Sequence, residues 1–275
     1  MPIKTEKQGA IEPHETGVHL LLEHGACPTI ADYNGETPLH AAAFGSPLHL
    51  FRRFLHSAAN DFALSTTNNY GETLLHYAAA GGNIGVLRFL LEMDVEKDIM
   101  TDIDMPTENG WTLLHCALAP THIEGHYPQA ARKTFQDAIL AARLLLDRGA
   151  DAGRLTAEGW STLHCLAGYK THAGDTRFSA LAEDLVRMGA PVGAKARGLH
   201  EEWWWRLPRN RDNGYNPHEY GFPWGFRLTL LSEENPAGVF EADVTTAREW
   251  AGRVGGKAVE KVLLEREHAG ESVVS

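Results

Sequence analysis

Apolar positions along the chain fall into short paired runs with a helical rhythm. Four runs open on a leucine beside a histidine, at Leu39-His40, Leu75-His76, Leu114-His115 and Leu163-His164, and continue into alanines or leucines. Each follows a glycine turn and a hydroxyl residue, Thr37, Thr73, Thr112 or Ser161. A hydroxyl there can accept from an orphan N–H of the next turn, so each is read as a helix N-cap. Pro38 fits the first helical position, where its missing donor costs nothing. A second helix is predicted after each run, ending on an apolar pair at Phe54-Leu55, Leu90-Leu91, Leu145-Leu146 or Leu185-Val186. After the last two pairs stand Gly149 and Gly189, which can take the left-handed conformation that ends a helix.

Repetition of one two-helix unit defines the fold class. The segments Gly35–Ala43, Gly71–Ala79, Gly110–Ala117 and Gly159–Ala167 resemble the T-P-L-H-x-A signature of the ankyrin repeat family, as does the run from Ala79 to Leu91. The resemblance implies an all-α repeat solenoid of helix–turn–helix units with hairpin loops. About four repeats are recognisable, with degenerate N- and C-terminal caps and a long Trp-rich insertion. The whole chain, 1–275, reads as one domain: a partial repeat at 17–31, repeats at 32–67, 68–106, 107–155 and 156–197, an aromatic-rich insertion at 198–240, a degenerate cap repeat at 241–265 and a frayed tail at 266–275. The segment from Val18 to Pro28 reads as the second helix and stop of a unit whose first helix is unrecognisable in Met1–Thr16. The resemblance also makes His40, His76, His115 and His164 structural, hydrogen bonding with backbone between repeats.

The units differ in length. From the Leu of Leu-His to the apolar pair is 15 residues in two units (39 to 54, 75 to 90), 31 in the next (114 to 145) and 22 in the last (163 to 185). Insertions including Ala119–Pro128 and Gly168–Asp175 account for the excess, and a larger one runs from about Gly198 to Phe240, where a hairpin finger is expected. Insertions in arrays map to loops on one face and often serve binding. The third carries Trp203, Trp204, Trp205, Tyr215, Tyr220, Phe222, Trp224 and Phe226, with Arg206, Arg209 and Arg211 among them. These aromatics can pack as a private core for the loop, and can also form a hot-spot surface, since Trp, Tyr and Arg dominate binding energetics.

Trp111 and Trp160 occupy the position held by Glu36 and Glu72 in the earlier units. By the resemblance this position lies on the hairpin-proximal, partner-contacting surface, with the two indoles side by side. Trp111, Trp160, Trp203, Trp204, Trp205, Arg206, Tyr215, Tyr220 and Trp224 are therefore the expected partner-binding residues.

A formal net charge of −11 argues against nucleic acid as the main partner, because phosphate binding is dominated by Lys and Arg. No run approaches the ~20 apolar residues of a membrane span, and no signal peptide is visible. Cys116 and Cys165 follow the Leu-His of adjacent repeats and should lie ~8–10 Å apart, beyond disulfide reach. Buried thiols in a reducing compartment are expected, and with them an intracellular monomer, cytoplasmic or nuclear. His122-Ile123-Glu124-Gly125-His126 departs from H-E-x-x-H and sits among helix breakers, so no metal is expected. Gly252–Lys257 lacks the spacing of a phosphate-binding loop. No cofactor is implied.

Two functions remain in view. One is a non-enzymatic scaffold that binds another protein through the concave and hairpin surface. The other is an ankyrin-fold enzyme whose aromatic insertion roofs a pocket for a small hydrophobic substrate, for example a cyclase. A closed apolar pocket beneath residues 199–226 would mark the second.

Overall fold

The computed structural model describes residues 13–58, 66–96, 102–119, 133–169, 171–196 and 245–271. Among them are eleven helices and one two-stranded sheet. A lone helix, α1 (Pro13–Glu23), is followed by the pairs α2 (Pro38–Gly45) with α3 (Leu48–Ser57), α4 (Leu74–Gly81) with α5 (Ile84–Glu96), and α6 (Leu113–Leu118) with α7 (Phe135–Leu146). Next come α8 (Thr162–Ala167) with α9 (Thr176–Arg187), then α10 (Ala247–Val254) with α11 (Lys257–Glu271). First helices stack in the order α2, α4, α6, α8, α10, and α1, α3, α5 and α7 stack behind them.

Small residues set the spacing of this stack. Ala43, Ala78, Ala79, Ala117 and Ala167 are fully buried along its seam, and with no long side chains between them the helices approach closely. A Cβ on Gly81 would collide with the Phe44 carbonyl of the preceding unit. Leucines fill the remaining space: Leu39, Leu74, Leu113, Leu114 and Leu163 join one continuous core with Leu87, Leu145 and Leu185 of the second helices. Gly149 and Gly189, at φ 89° and 99°, end α7 and α9 in the left-handed region, as their place after the apolar pairs predicts.

The four hydroxyl residues are N-caps, and each cap is reciprocal. The N–H of Thr37, Thr73, Thr112 and Ser161 donates to Nδ1 of His40, His76, His115 and His164 at 3.1, 3.2, 3.4 and 3.1 Å. The imidazole thus stands where a capping-box carboxylate would. In α10 a Thr246–Glu249 pair does the same work: Thr246 N–H donates to Glu249 Oε2 at 2.8 Å.

The C-terminal pair is longer than its sequence suggests. α11 continues to Glu271, past the expected end of the cap at 265, because Arg248 of α10 pairs with Glu267 at 2.8 Å and the run from Lys261 to Glu267 favours helix. The insertion Gly168–Asp175 is also not a free loop. Thr171 N–H donates to Gly255 O at 2.9 Å, Lys257 N–H donates to Thr171 O at 3.3 Å, and Ala258 N–H donates to Thr171 Oγ1 at 3.0 Å. The insertion straps α8 to the junction of α10 and α11.

Candidate functional site

The finger turns between units form a continuous rim. In each, the first N–H closes on the last carbonyl: Asp32 to Glu36 at 2.7 Å, Asn68 to Glu72 at 3.0 Å, Thr107 to Trp111 at 2.8 Å and Thr156 to Trp160 at 3.0 Å. Side chains lock the same turns. Asp32 Oδ1 accepts from Asn34 and Glu36 N–H, Asn68 Oδ1 accepts from Tyr70 and Glu72 N–H, and the hydroxyls of Thr107 and Thr156 accept from Trp111 and Trp160 N–H. Adjacent tips then bond to one another: Asn69 N–H to Asn34 O at 2.9 Å, Glu108 N–H to Tyr70 O at 2.9 Å and Ala157 N–H to Asn109 O at 3.0 Å. The rim is therefore ordered mainly by main chain, with Asn69 Nδ2 adding a bond to Tyr33 O at 3.1 Å. Tyr33, Asn69, Glu108 and Ala157 are exposed along it, Tyr33 at 87%.

Beneath the rim, the histidines join unit to unit. Because Nδ1 accepts an N–H, the proton sits on Nε2, which reaches forward to the next unit: His76 to Met105 O at 3.2 Å, His115 to Trp160 O at 3.2 Å and His164 to Thr245 O at 3.1 Å. Burial disfavours the charged imidazole and pushes all four histidines down to about 4. His76, His115 and His164 are neutral structural links between units, as the resemblance implies, whereas His40 caps its own helix and its Nε2 is buried without a hydrogen-bond partner among the described residues.

Trp111 and Trp160 lie side by side, with ring centroids 5.7 Å apart. Their expected exposure is corrected: each is only 2% exposed and belongs to the core. The finger hydrogen bonds fix the backbone so that each indole turns inward over the imidazole of its own unit, at 5.9 Å for Trp111 with His115 and 6.5 Å for Trp160 with His164. In the N-terminal units the same column is polar. Glu72 is buried, and Asn68 Nδ2 donates both to Glu72 Oε2 at 2.6 Å and to the Tyr77 hydroxyl at 3.0 Å. The column changes from carboxylates to indoles, but it changes underneath the rim.

The last finger is replaced. β1 (Lys195–Ala196) pairs antiparallel with β2 (Thr245–Thr246), Lys195 opposite Thr246 and Ala196 opposite Thr245. This matches the single bridges Thr67 to Thr73 and Leu155 to Ser161 in earlier fingers. The described chain thus stops at Ala196 and resumes at Thr245 as a paired ladder at the position where a finger begins and ends elsewhere. Trp203, Trp204, Trp205, Arg206, Tyr215, Tyr220 and Trp224 lie outside the described residues, as do His122 and His126.

Two features escape sequence reading. Phe135 and Phe178 stack at 3.7 Å between α7 and α9, with Arg177 over the Phe135 ring at 4.5 Å. Lys133 is buried, its Nζ donating to Cys116 O at 2.9 Å and Ala117 O at 3.0 Å, so it caps the C-terminal end of the short α6. Burial pushes its ammonium down to about 7. Cys116 and Cys165 are buried beside it with their thiols pushed well up by the same desolvation, whereas Cys27 is exposed. Among the described residues no group of three His, Cys, Asp or Glu could hold a metal ion, and no helix is long and apolar enough to cross a membrane.

Family models match the N-terminal part of the array. Residues 7–55 match the model for ankyrin repeats in many copies, and residues 44–126 match that for ankyrin repeats in three copies. The protein contains an ankyrin repeat array. It is also similar to the transient receptor potential cation channel subfamily A member 1 homolog of Caenorhabditis elegans, at 28% identity over 150 residues. That alignment covers 54% of this chain but only 10% of the channel homolog. Ankyrin arrays are in general protein-interaction modules, and the helices, fingers and histidine links of this chain are those of such an array.

Proposed function

We propose that the chain is a non-enzymatic recognition module that binds another protein along its finger rim, and that aromatic and arginine residues of the 197–244 insertion contribute to the same recognition. The supporting observation is the continuous hydrogen-bonded ladder of finger tips, Asn34 to Asn69, Tyr70 to Glu108 and Asn109 to Ala157. It presents exposed side chains from a backbone that needs no reordering on binding, which lowers the entropic cost of association. β1 and β2 place both ends of the insertion at the next finger position. Trp203, Trp204, Trp205, Arg206, Tyr215, Tyr220 and Trp224 are the proposed contacts there, as residue types that anchor interfaces. Trp111 and Trp160 support the rim from beneath. The reading is that of an intracellular monomer acting on a protein partner.

Affinity capture from the native cell tests this. Proteins retained by the wild-type chain should be lost with Glu108→Arg plus Glu158→Arg on the rim or with Trp203–Trp205 changed to Ala, and kept with Arg187→Glu at the end of α9. Equal capture by all variants would overturn the rim as the recognition surface.

A further inference from the structure

In a chain whose formal net charge is −11, α3 reads LHLFRRFLHS and carries no acidic residue. Burial of Leu50 and Phe51 fixes its rotation and leaves Arg52, Arg53, His56 and Ser57 exposed. Arg52 with His56 and Arg53 with Ser57 are four apart, so the four side chains share one helix surface. With Leu22 and Glu23 of α1 they line a cleft of about 350 Å³.

Both guanidiniums are held there with their charge intact. Arg52 lies over the Phe89 ring of α5, 4.6 Å from its centroid, a contact that positions the cation without cancelling it. Arg53 donates to Nδ1 of His19 on α1, and His19 Nε2 meets Glu23 at 3.1 Å. The one carboxylate lining the cleft is therefore engaged by an imidazole, and two positive charges stand against one negative. The helix ends do not consume these cations, although basic side chains often cap last carbonyls. Ala26 and Gly25 N–H cap Leu21 O and Leu22 O at 2.9 and 3.1 Å, and Ala58 N–H caps Phe54 O and Leu55 O at 3.0 and 3.2 Å.

We propose that the cleft between α1 and α3 binds a phosphate group, with Arg52 and Arg53 as its charge partners and Ser57 and His56 as further donors. A guanidinium offers paired N–H groups that match the oxygens of a phosphate, and the dianion has enough acceptors for all four side chains. Leu22 gives an apolar wall to whatever carries the phosphate. No finger residue takes part, so this site and the rim can be occupied together.

Calorimetric titration of the full chain tests the proposal with two probes: inorganic phosphate, and a five-residue glycine peptide with a central phosphoserine. The expected result is saturable one-to-one binding of at least one probe, below roughly a millimolar. Arg52→Gln and Arg53→Gln should each weaken it by about tenfold, and Ser57→Ala by about threefold. Arg143→Gln, which removes an exposed guanidinium of α7 outside the cleft, should leave it unchanged. Tighter binding of the peptide assigns the site to a protein-borne phosphate, and tighter binding of the inorganic ion assigns it to a free one. Should Arg53→Gln lower the melting temperature by loosening α1, Arg52→Gln and Ser57→Ala still decide. No saturation up to roughly 10 mM of either probe, equal binding of the unphosphorylated peptide, or an equal loss in Arg143→Gln would overturn the site.

Discussion

The imidazole Nε2 of His115 donates across 3.2 Å to the carbonyl oxygen of Trp160, joining two units 45 residues apart in sequence. The other ring nitrogen is held by Thr112 N–H, so one side chain caps its own helix and bonds to the next finger. Replacing His115 by Ala leaves the buried Thr112 N–H without its partner, at a cost of about 1–3 kcal/mol, and removes the bond between units, although the Trp160 carbonyl still accepts from Thr156 N–H. Chemical denaturation of His115→Ala should show a loss in that range or larger. Unchanged stability would reject the link.

Acid should weaken the whole array by the same chemistry. Each buried histidine stays neutral in the folded chain down to about 4, while the unfolded chain binds its proton from about 6.5. Between these values the unfolded state holds more protons, so the histidine contribution to stability is full above 6.5 and falls as pH drops toward 4. Each histidine contributes up to about 1.4 kcal/mol per pH unit in that window. Denaturation midpoints measured at pH 7 and pH 5 should differ strongly, and His76→Gln should reduce the difference by about the share of one histidine.

The tryptophan pair gives a sharper contrast. An exposed Trp160 could be truncated with little change in melting temperature, but the observed indole is buried against Trp111. Trp160→Ala should therefore cost about 3–5 kcal/mol. A melting temperature within a degree or so of wild type would return the residue to the surface.

These residues also show what the sequence could and could not reveal. The unit was legible because caps, leucine seams and glycine stops act locally: Thr73, Leu75 and Gly149 declare their roles within a few positions. The family resemblance puts Trp160 on the partner-contacting surface, and the hydrogen bonds that turn the column inward close only when neighbouring fingers stack. Thr171 was equally hidden, since its partners Gly255 and Ala258 lie more than 80 residues on, behind the insertion. Lys133 follows an insertion of variable length, so no fixed spacing marks it as the cap of α6.

Thiol chemistry should divide the cysteines. Cys27 is exposed and a hydrogen bond from Thr29 lowers its thiol, whereas Cys116 and Cys165 are buried with their thiols raised. Thiolate is the reactive form. A thiol reagent should label Cys27 quickly in the native protein and the other two only after unfolding. Rapid native labelling of Cys116 would contradict the packing around Lys133.

Lys133 makes a prediction of its own on the alkaline side. Its ammonium titrates at about 7 in the folded chain against 10.5 as the ordinary value, so between these limits the unfolded chain binds the extra proton. Stability therefore rises with pH through this window, by up to about 1.4 kcal/mol per unit. The buried thiols act in the opposite sense, but only above about 9, where an unfolded cysteine ionises and a buried one does not. Measurements at pH 7 and 8.5 separate the two. Wild type should gain about 1–2 kcal/mol across that interval, and Lys133→Met should lose the gain while keeping the acid dependence set by the histidines. A pH-independent wild type between 7 and 8.5 would mean that the amine stays charged, with its hydrogen bonds to the Cys116 and Ala117 carbonyls offsetting its burial.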